Sequence, residues 1–307
     1  MNKPILVSGL INIETALRIS SFPLEYFSVT YPFFGISSSV SGVGYNIAKA
    51  LTVLGDRVRF LSIIGQDIAA QQVRARLIEE NIAWKYVLNQ SGQTAQSVIL
   101  FDESGRRQIH TDLKNIQELT YPLDLFDQAV EDADICALCN INYSRPLLQR
   151  AKSAGRRVAT DVHTISDLED EYNRDFMQAA DILFQSDERL PVSPEDWVCR
   201  IWNRYPAEIV VVGLGKQGAL LGLRNDHALV RIPAVRTRPI VNTIGAGDAL
   251  FSSFLHGFNQ GVLPFEALQK AVVFASYKIG VTSASDGFLT AQALEACCAE
   301  IHSAGAA

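Results

Sequence analysis

The segment Val241-Asn-Thr-Ile-Gly-Ala-Gly-Asp-Ala-Leu-Phe251 gathers the residue types that phosphoryl transfer to an alcohol requires. Gly245 and Gly247 let backbone N–H groups approach a ligand closely. The apolar run that follows predicts a helix whose free N–H groups and positive dipole end converge on the same point. Such a point suits a phosphate. Asp248 would be repelled there unless it is aimed at a hydroxyl, and a carboxylate beside an anion cradle is the arrangement of a general base serving an attacking alcohol. Read alone, the same residues also fit a tight turn before a buried helix, with Asp248 as a helix-start residue.

A second stretch, Ser41-Gly-Val-Gly-Tyr-Asn46, carries Gly42 and Gly44 into another helix. Asn46 lies in the first turn of that helix and offers both donors and acceptors. A polyol needs that mixture, although a plain glycine turn before a core helix fits the segment as well. Ile47, Leu51 and Leu54 follow the 3.6-residue period, and Gly55 stops the helix.

The elements that must position these residues alternate along the chain. Apolar runs at 5–10, 58–64, 135–141, 158–162, 182–184 and 209–214 predict buried strands. Between them lie amphipathic helices: Asp67 caps one that carries Val73 and Leu77 and ends at Asn81, and Leu147, Leu148 and Ala151 precede a stop at Gly155. This rhythm predicts an α/β fold with a mostly parallel sheet, in which ligands bind beyond the carboxyl ends of the strands. Two regions break it. Residues 20–41 alternate Phe27, Val29, Tyr31 and Phe33, and residues 94–111 read as a hairpin with strands at 96–101 and 106–111 and a turn at Asp102-Glu-Ser-Gly105. Both are expected to be β-segments inserted into the α/β body, forming a small sheet over the cleft.

Bulk properties narrow the function classes. The 307 residues are 48% hydrophobic, with net charge −6 and a pI near 5.4. No basic run is present, which argues against nucleic acid as a partner. A chain this acidic must hold a polyanion locally, with backbone N–H groups and a metal. No uninterrupted apolar stretch reaches the roughly 18 residues of a membrane span. The five cysteines, Cys136, Cys139, Cys199, Cys297 and Cys298, sit in apolar segments, and no second pair completes a zinc site with Cys136 and Cys139. They read as buried thiols, which points to a reducing, cytoplasmic compartment.

Taken together, SGVGYNIAKALTVLG and NTIGAGDALF, about 200 residues apart, resemble the N-terminal G-G-x-x-x-N-x-A…L-x-x-L-G and C-terminal D-T-x-G-A-G-D-x-F signatures of the ribokinase (PfkB) family of carbohydrate kinases. Gly9-Leu-Ile-Asn-Ile-Glu14 resembles its first strand and substrate-binding end, Ile64-Gly-Gln-Asp67 its V-G-x-D, Ser104-Gly-Arg-Arg107 its lid turn, and the segment from Ile209 to Leu221 its nucleotide-side strand, loop and strand. The resemblance spans nearly the whole chain. It implies a single domain, 1–307, with the ribokinase-like three-layer sandwich of sheet and helices, and a small β-sheet lid formed by insertions at about 12–41 and 94–112. It implies an enzyme that transfers the γ-phosphoryl group of ATP, with Mg2+, to a hydroxyl of a sugar or sugar-like small molecule. By matched position, Asp248 is the implied general base, and Gly245, Ala246 and Gly247 the anion hole. Asn12, Glu14, Gly42 and Asn46 would hold the acceptor, with Asn140 or Asn142 and Arg107 adding contacts. Gly213, Gly215 and Gly218 would line the nucleotide, with Ala275 near the base. The apolar alternation of the lid suggests a homodimer paired through the lids.

Several positions depart from the family pattern. Ser41 replaces a glycine, and Glu14 stands where many members have Asp. Asn242 replaces the Asp that helps bind a monovalent cation in potassium-activated members. A neutral amide is a weaker ligand for a hard cation, so the expectation of K+ weakens. Where the family carries N-x-x-E for magnesium, this chain has Ser186 and Arg189, leaving Asp187 or Glu188 as the nearest metal-side carboxylates; Gly213 replaces a frequent threonine. Two other readings stay open: a nucleoside kinase of the same family, acting on adenosine, inosine or pseudouridine, and a non-catalytic sugar or nucleotide sensor.

Overall fold

The computed structural model describes residues 3–104 and 106–305. Gly105 of the expected hairpin turn and the extreme ends of the expected 1–307 domain lie outside the described residues. The strands are β1 (Ile5–Ser8), β2 (Asn12–Arg18), β3 (Ile36–Ser41), β4 (Val58–Ile64), β5 (Val87–Asn89), β6 (Gln96–Phe101), β7 (Arg107–Asp112), β8 (Ile135–Leu138), β9 (Arg157–Asp161), β10 (Ile182–Ser186), β11 (Ile209–Gly213), β12 (Ala219–Leu223) and β13 (Ala228–Ile232). The α-helices are α1 (Val43–Val53), α2 (Ile68–Glu79), α3 (Leu123–Val130), α4 (Arg145–Ser153), α5 (Arg174–Ala179), α6 (Pro194–Arg204), α7 (Ala246–Asn259), α8 (Pro264–Lys278) and α9 (Ala291–Gly305).

Strands that are apolar on both sides need cover on both faces. Nine of them form one sheet in the order β13-β12-β11-β10-β9-β8-β1-β4-β5. It is parallel from β11 to β5, and β12 and β13 run antiparallel at one edge. Alternate side chains divide between two cores. Ile5, Val7 and Val211 pack with α1, α2, α7 and α8 on one face, whereas Leu6, Val210 and Val212 pack with α3, α4, α5 and α6 on the other. Helix α9 closes a third cluster against α8 and the end of α1. The parallel sheet is the one expected from the strand–helix rhythm, and the three layers are those the family resemblance implied. The expected stops hold as well: Gly55, Asn81 and Gly155 all adopt positive φ just beyond their helices. Among the described residues no helix is long and apolar enough to cross a membrane.

The remaining strands form a separate sheet, β3-β2-β6-β7. The β6–β7 hairpin pairs antiparallel as expected. The alternating run Phe27–Phe33 does not form a strand: residues 19–35 have no regular structure, and Phe27, Val29, Tyr31 and Phe33 are exposed. Pro32 interrupts the run and brings no N–H for a ladder. Instead, the serine-rich stretch Ile36–Ser41 pairs with β2, where Asn12 and Glu14 lie opposite Ser41 and Ser39. Nor are all the cysteines buried: Cys136 and Cys139 are, but Cys199 is exposed on α6.

The root of this second sheet is tied to the α/β body at Asp67. Its carboxylate accepts hydrogen bonds from Ala70 N (2.9 Å), capping α2, and from Thr94 N and Oγ1 (2.9 and 2.7 Å) at the entry to β6. Gly65 leaves room for this junction, because a Cβ there would lie 2.4 Å from Thr94 N. Burial alone would raise the Asp67 carboxyl, but the hydrogen bonds from Thr94 and Ala70 hold it below its ordinary value. Such a group stabilises the fold above its unfolded-state pKa, and the contribution disappears as pH falls through the folded-state value. Asp67→Ala is therefore expected to lower the unfolding free energy by about 2 kcal/mol at neutral pH. In urea titrations the gap between the two proteins should narrow in acid; a loss under about 0.5 kcal/mol at neutral pH would contradict the anchoring role.

Candidate active site

Two helix starts meet beyond the carboxyl ends of the central strands. Helix α1 begins after Gly42 (φ 108°), where a Cβ would lie 2.6 Å from Leu10 O. Gly44 is packed against Gly9 so closely that a Cβ would lie 2.4 Å from the Gly9 carbonyl carbon. Helix α7 begins at Gly245 (φ 76°), where a Cβ would lie 2.6 Å from Ala284 O. Backbone packing alone requires glycine at these three positions. Gly247 differs. Beyond its own helix, a Cβ built there would meet only Asp161 Oδ2, at an ordinary contact distance of 3.8 Å, so no other backbone segment crowds this glycine. The first-turn N–H groups of a helix have no intrahelical acceptor, and at α7 they flank this uncrowded position.

Asp248 sits in the first turn of α7 and is buried. Asn46, in the first turn of α1, donates from Nδ2 to Asp248 Oδ2 at 2.7 Å. Burial pushes the Asp248 carboxyl up from its ordinary value; the Asn46 hydrogen bond and the positive sides of His163 and Lys278 oppose the shift, and Asp161 adds to it. Glu14 is raised too, chiefly by burial and further by Asp248, against the polar Ser41 hydroxyl and the Lys278 charge. Asn12 donates from Nδ2 to Ser97 Oγ at 2.6 Å. The Oδ1 atoms of Asn12 and Asn46 are buried and lack a hydrogen-bond partner among the described residues. Buried acceptors are seldom left unpaired without a reason. Arg107 on β7 reaches across from the small sheet and donates to Thr243 Oγ1 at 2.8 Å, just ahead of the glycine turn.

The other expected residues are placed differently. Asn140 donates to Asn173 Oδ1 (2.9 Å) and its carbonyl accepts from Tyr172 Oη. Asn142 is taken up in the wall: its amide donates to Gln117 O and its Oδ1 accepts from Arg145, which leaves little for a ligand. Gly213 ends β11 and Gly215 (φ 52°) faces open space, but Gly218 (φ 99°) is pressed against Ile232 O at 2.0 Å from a built Cβ, a packing demand. Ala275 is half-buried on α8. Glu188 is exposed on the turn after β10, and among the described residues no three acidic, histidine or cysteine side chains gather as a metal cage. Asn242 is a staple, with Nδ2 donating to Thr282 O (3.0 Å) and Oδ1 accepting from Ile244 N (2.9 Å).

Three further residues adjoin the site. Asp161, at the end of β9, lies over Gly247, and His163 (φ 57°) donates its backbone N–H to Asp161 Oδ1 at 2.8 Å. Lys278, at the end of α8, is fully buried, and its Nζ donates to Ile244 O (2.6 Å) and Ser283 O (2.8 Å). Burial pulls its pKa down to about 8, against the opposing charges of Asp248, Asp286 and Glu14. One sequence signal was available for Lys278: it falls four residues after Phe274 and seven after Ala271, on the buried stripe of its helix.

The raised carboxyl of Asp248 has a stability consequence. A carboxyl whose folded-state pKa lies above its unfolded value binds its proton more tightly when folded, so ionising it destabilises the fold, and the penalty fades as pH falls back through that window. Asp248→Asn keeps an acceptor for Asn46 and removes the charge. It is expected to raise the Tm at about pH 8, with the gain shrinking toward about pH 4. A gain that does not vary with pH, or a lower Tm, would contradict this electrostatic picture.

The sequence matches the pfkB family of carbohydrate kinases over residues 5–291. It is 24% identical over 292 residues to an acarbose 7(IV)-phosphotransferase from Actinoplanes sp., covering 94% of this chain and 96% of that one. It is 25% identical over 287 residues to a deoxyribokinase from Salmonella typhi, covering 90% and 92%. The fold superposes on a microbiome-derived acarbose kinase with a TM-score of 0.87 at 27% identity, covering 97% of this chain and 100% of that chain. With the ribokinase-like fold in place and the family signature spanning nearly the whole chain, this protein belongs to the pfkB family of carbohydrate kinases and is a phosphotransferase with an alcohol group as acceptor.

Proposed function

We propose that the protein transfers the γ-phosphoryl group of ATP to a hydroxyl of a sugar or sugar-like molecule, with Asp248 as general base. The observation that carries this reading is the buried Asp248 carboxylate, held by Asn46 at the N-terminus of α7 beside the uncrowded face of Gly247. The unpaired Oδ1 atoms of Asn12 and Asn46 are acceptors for acceptor-sugar hydroxyls, and Glu14 is a third. Asp248 takes the proton of the attacking hydroxyl as its oxygen bonds to the γ-phosphorus and the bond to the ADP oxygen breaks. The N–H groups at the start of α7 face the charge on the transferred group. Gly213 and Gly215 line the nucleotide, with Ala275 toward the base.

Magnesium is usually held by one or two carboxylates, waters and the substrate's phosphates rather than by an all-protein cage. Asp161, whose Oδ2 overlooks Gly247, fits that role better than the exposed Glu188. Bound there, the ion would neutralise phosphate charge. The small sheet would act as a lid within a single domain: Arg107 already bridges it to Thr243, and closure would exclude water as a competing acceptor. Phe27, Tyr31 and Phe33 beside that sheet are exposed, which suits lid-to-lid pairing of two copies. The buried thiols of Cys136 and Cys139 suit the reducing cytoplasm.

A panel of pentoses, hexoses, acarbose, sugar phosphates and nucleosides, read by ATP turnover, tests the acceptor class; turnover confined to nucleosides would replace the carbohydrate reading with the nucleoside-kinase one. With the best acceptor, Asp248→Asn should lower kcat roughly 10²–10⁴-fold, and turnover that survives the change would remove Asp248 as the base. Light scattering at micromolar concentration should find a dimer, and a monomer would overturn the pairing.

A further inference from the structure

Behind the glycine turn, two loops present main-chain carbonyls to one another. On one side runs the segment from Val241 to Gly245; on the other, the stretch that follows α8. Val241 N and Asn242 N both donate to Ile279 O (2.9 and 3.0 Å), Asn242 Nδ2 donates to Thr282 O, and Gly245 abuts Ala284 O. Two carbonyls, those of Ile244 and Ser283, are left aimed at a common point. Converging carbonyl oxygens are what a small hard cation binds, and without a positive charge they would repel one another. The point is filled by the Lys278 ammonium, 2.6 and 2.8 Å from the two oxygens. No carboxylate lies within ion-pair distance of Lys278 Nζ among the described residues, so its charge is balanced only at a distance by Asp248, Asp286 and Glu14. A fully buried lysine held by carbonyls alone is unusual, because burying an ammonium away from an ion-pair partner is strongly unfavourable.

We infer that Lys278 is a built-in counter-ion: its ammonium occupies the place between the Ile244 and Ser283 carbonyls that a dissociable monovalent cation would fill, and it holds the glycine turn in shape without help from K+ or Na+. Lys278 is thus a positioning residue, acting on the phosphate through Ile244 and Gly245. The inference rests on the proposed phosphate role of that turn only for its effect on ATP binding; the cation response of the fold is a separate readout.

The test needs no acceptor. MgATP affinity by calorimetric titration and Tm by scanning fluorimetry are measured at constant ionic strength in tetramethylammonium, sodium, potassium and rubidium chloride, for the parent, Lys278→Ala and Lys278→Met. The parent should bind MgATP within about twofold in every salt. Lys278→Ala should bind roughly tenfold more weakly in tetramethylammonium, and should regain both affinity and Tm saturably in potassium or another small cation. Lys278→Met, which fills the space without charge, should stay weak in all salts. A parent whose MgATP affinity climbs saturably with potassium would overturn the inference, as would a Lys278→Ala protein indifferent to the identity of the cation. Should Lys278→Ala fail to fold, the parent titration decides by itself. Loss of MgATP binding by the parent in every salt, with the cation-selective Tm rescue of Lys278→Ala intact, would fault the assigned nucleotide role and leave the counter-ion standing.

Discussion

The burial of one carboxylate, Asp248, between two helix starts is the constraint around which the site is organised. A hydrogen bond to a charged group contributes about 1.5–3 kcal/mol, whereas burying an ion costs several kcal/mol. The single bond from Asn46 therefore cannot cancel desolvation, and the carboxyl stays raised. That imbalance is what a base requires: a carboxylate too comfortably solvated would be a poor proton acceptor. Gly42 and Gly44 seat the start of α1 against residues 9–11, and Gly245 seats the start of α7 against Ala284.

The neighbouring charges are arranged around the same point. Glu14 and Asp161 add negative charge near Asp248, and Lys278 answers from behind the turn. In the proposed reaction the site must also receive a polyphosphate, which needs fixed positive charge, and the chain has a net charge of −6. The helix N-terminus and the buried ammonium supply it locally, so no basic surface is needed. The carbonyl-lined setting of Lys278 links this electrostatic balance to the shape of the turn. The anchors at Asp67 and Arg107 link both to the small sheet.

Much of this was legible in the sequence because it is local. Glycines before an apolar period mark helix starts, and Asn46 and Asp248 each fall in such a first turn. What the sequence hid is set by tertiary packing. Gly42, Gly44 and Gly245 look like positions for ligand approach in one dimension, and the backbone contacts that also require glycine there are visible only in three. The Phe27–Phe33 alternation imitates a strand, but Pro32 denies it a ladder and the serine-rich Ile36–Ser41 takes the place beside β2. Lys278 falls on the buried stripe of its helix, but the carbonyls that receive it come from loops whose approach the sequence does not show. Asp161 lies within the run at 158–162, the last residue of β9, with no motif of its own, and only the sheet order brings β9 near α7.

The claim on which the rest depends is that Asp248 is a base whose proton affinity is set by burial and tempered by Asn46. The most direct measurement is the pH dependence of kcat/KM for the acceptor, in the parent and in Asn46→Ala. The account predicts an acidic limb centred above the ordinary carboxylate range of about 4, moving further upward when the Asn46 hydrogen bond to the ionised form is removed. An acidic limb at the ordinary carboxylate value, or one that stays in place in Asn46→Ala, would contradict it.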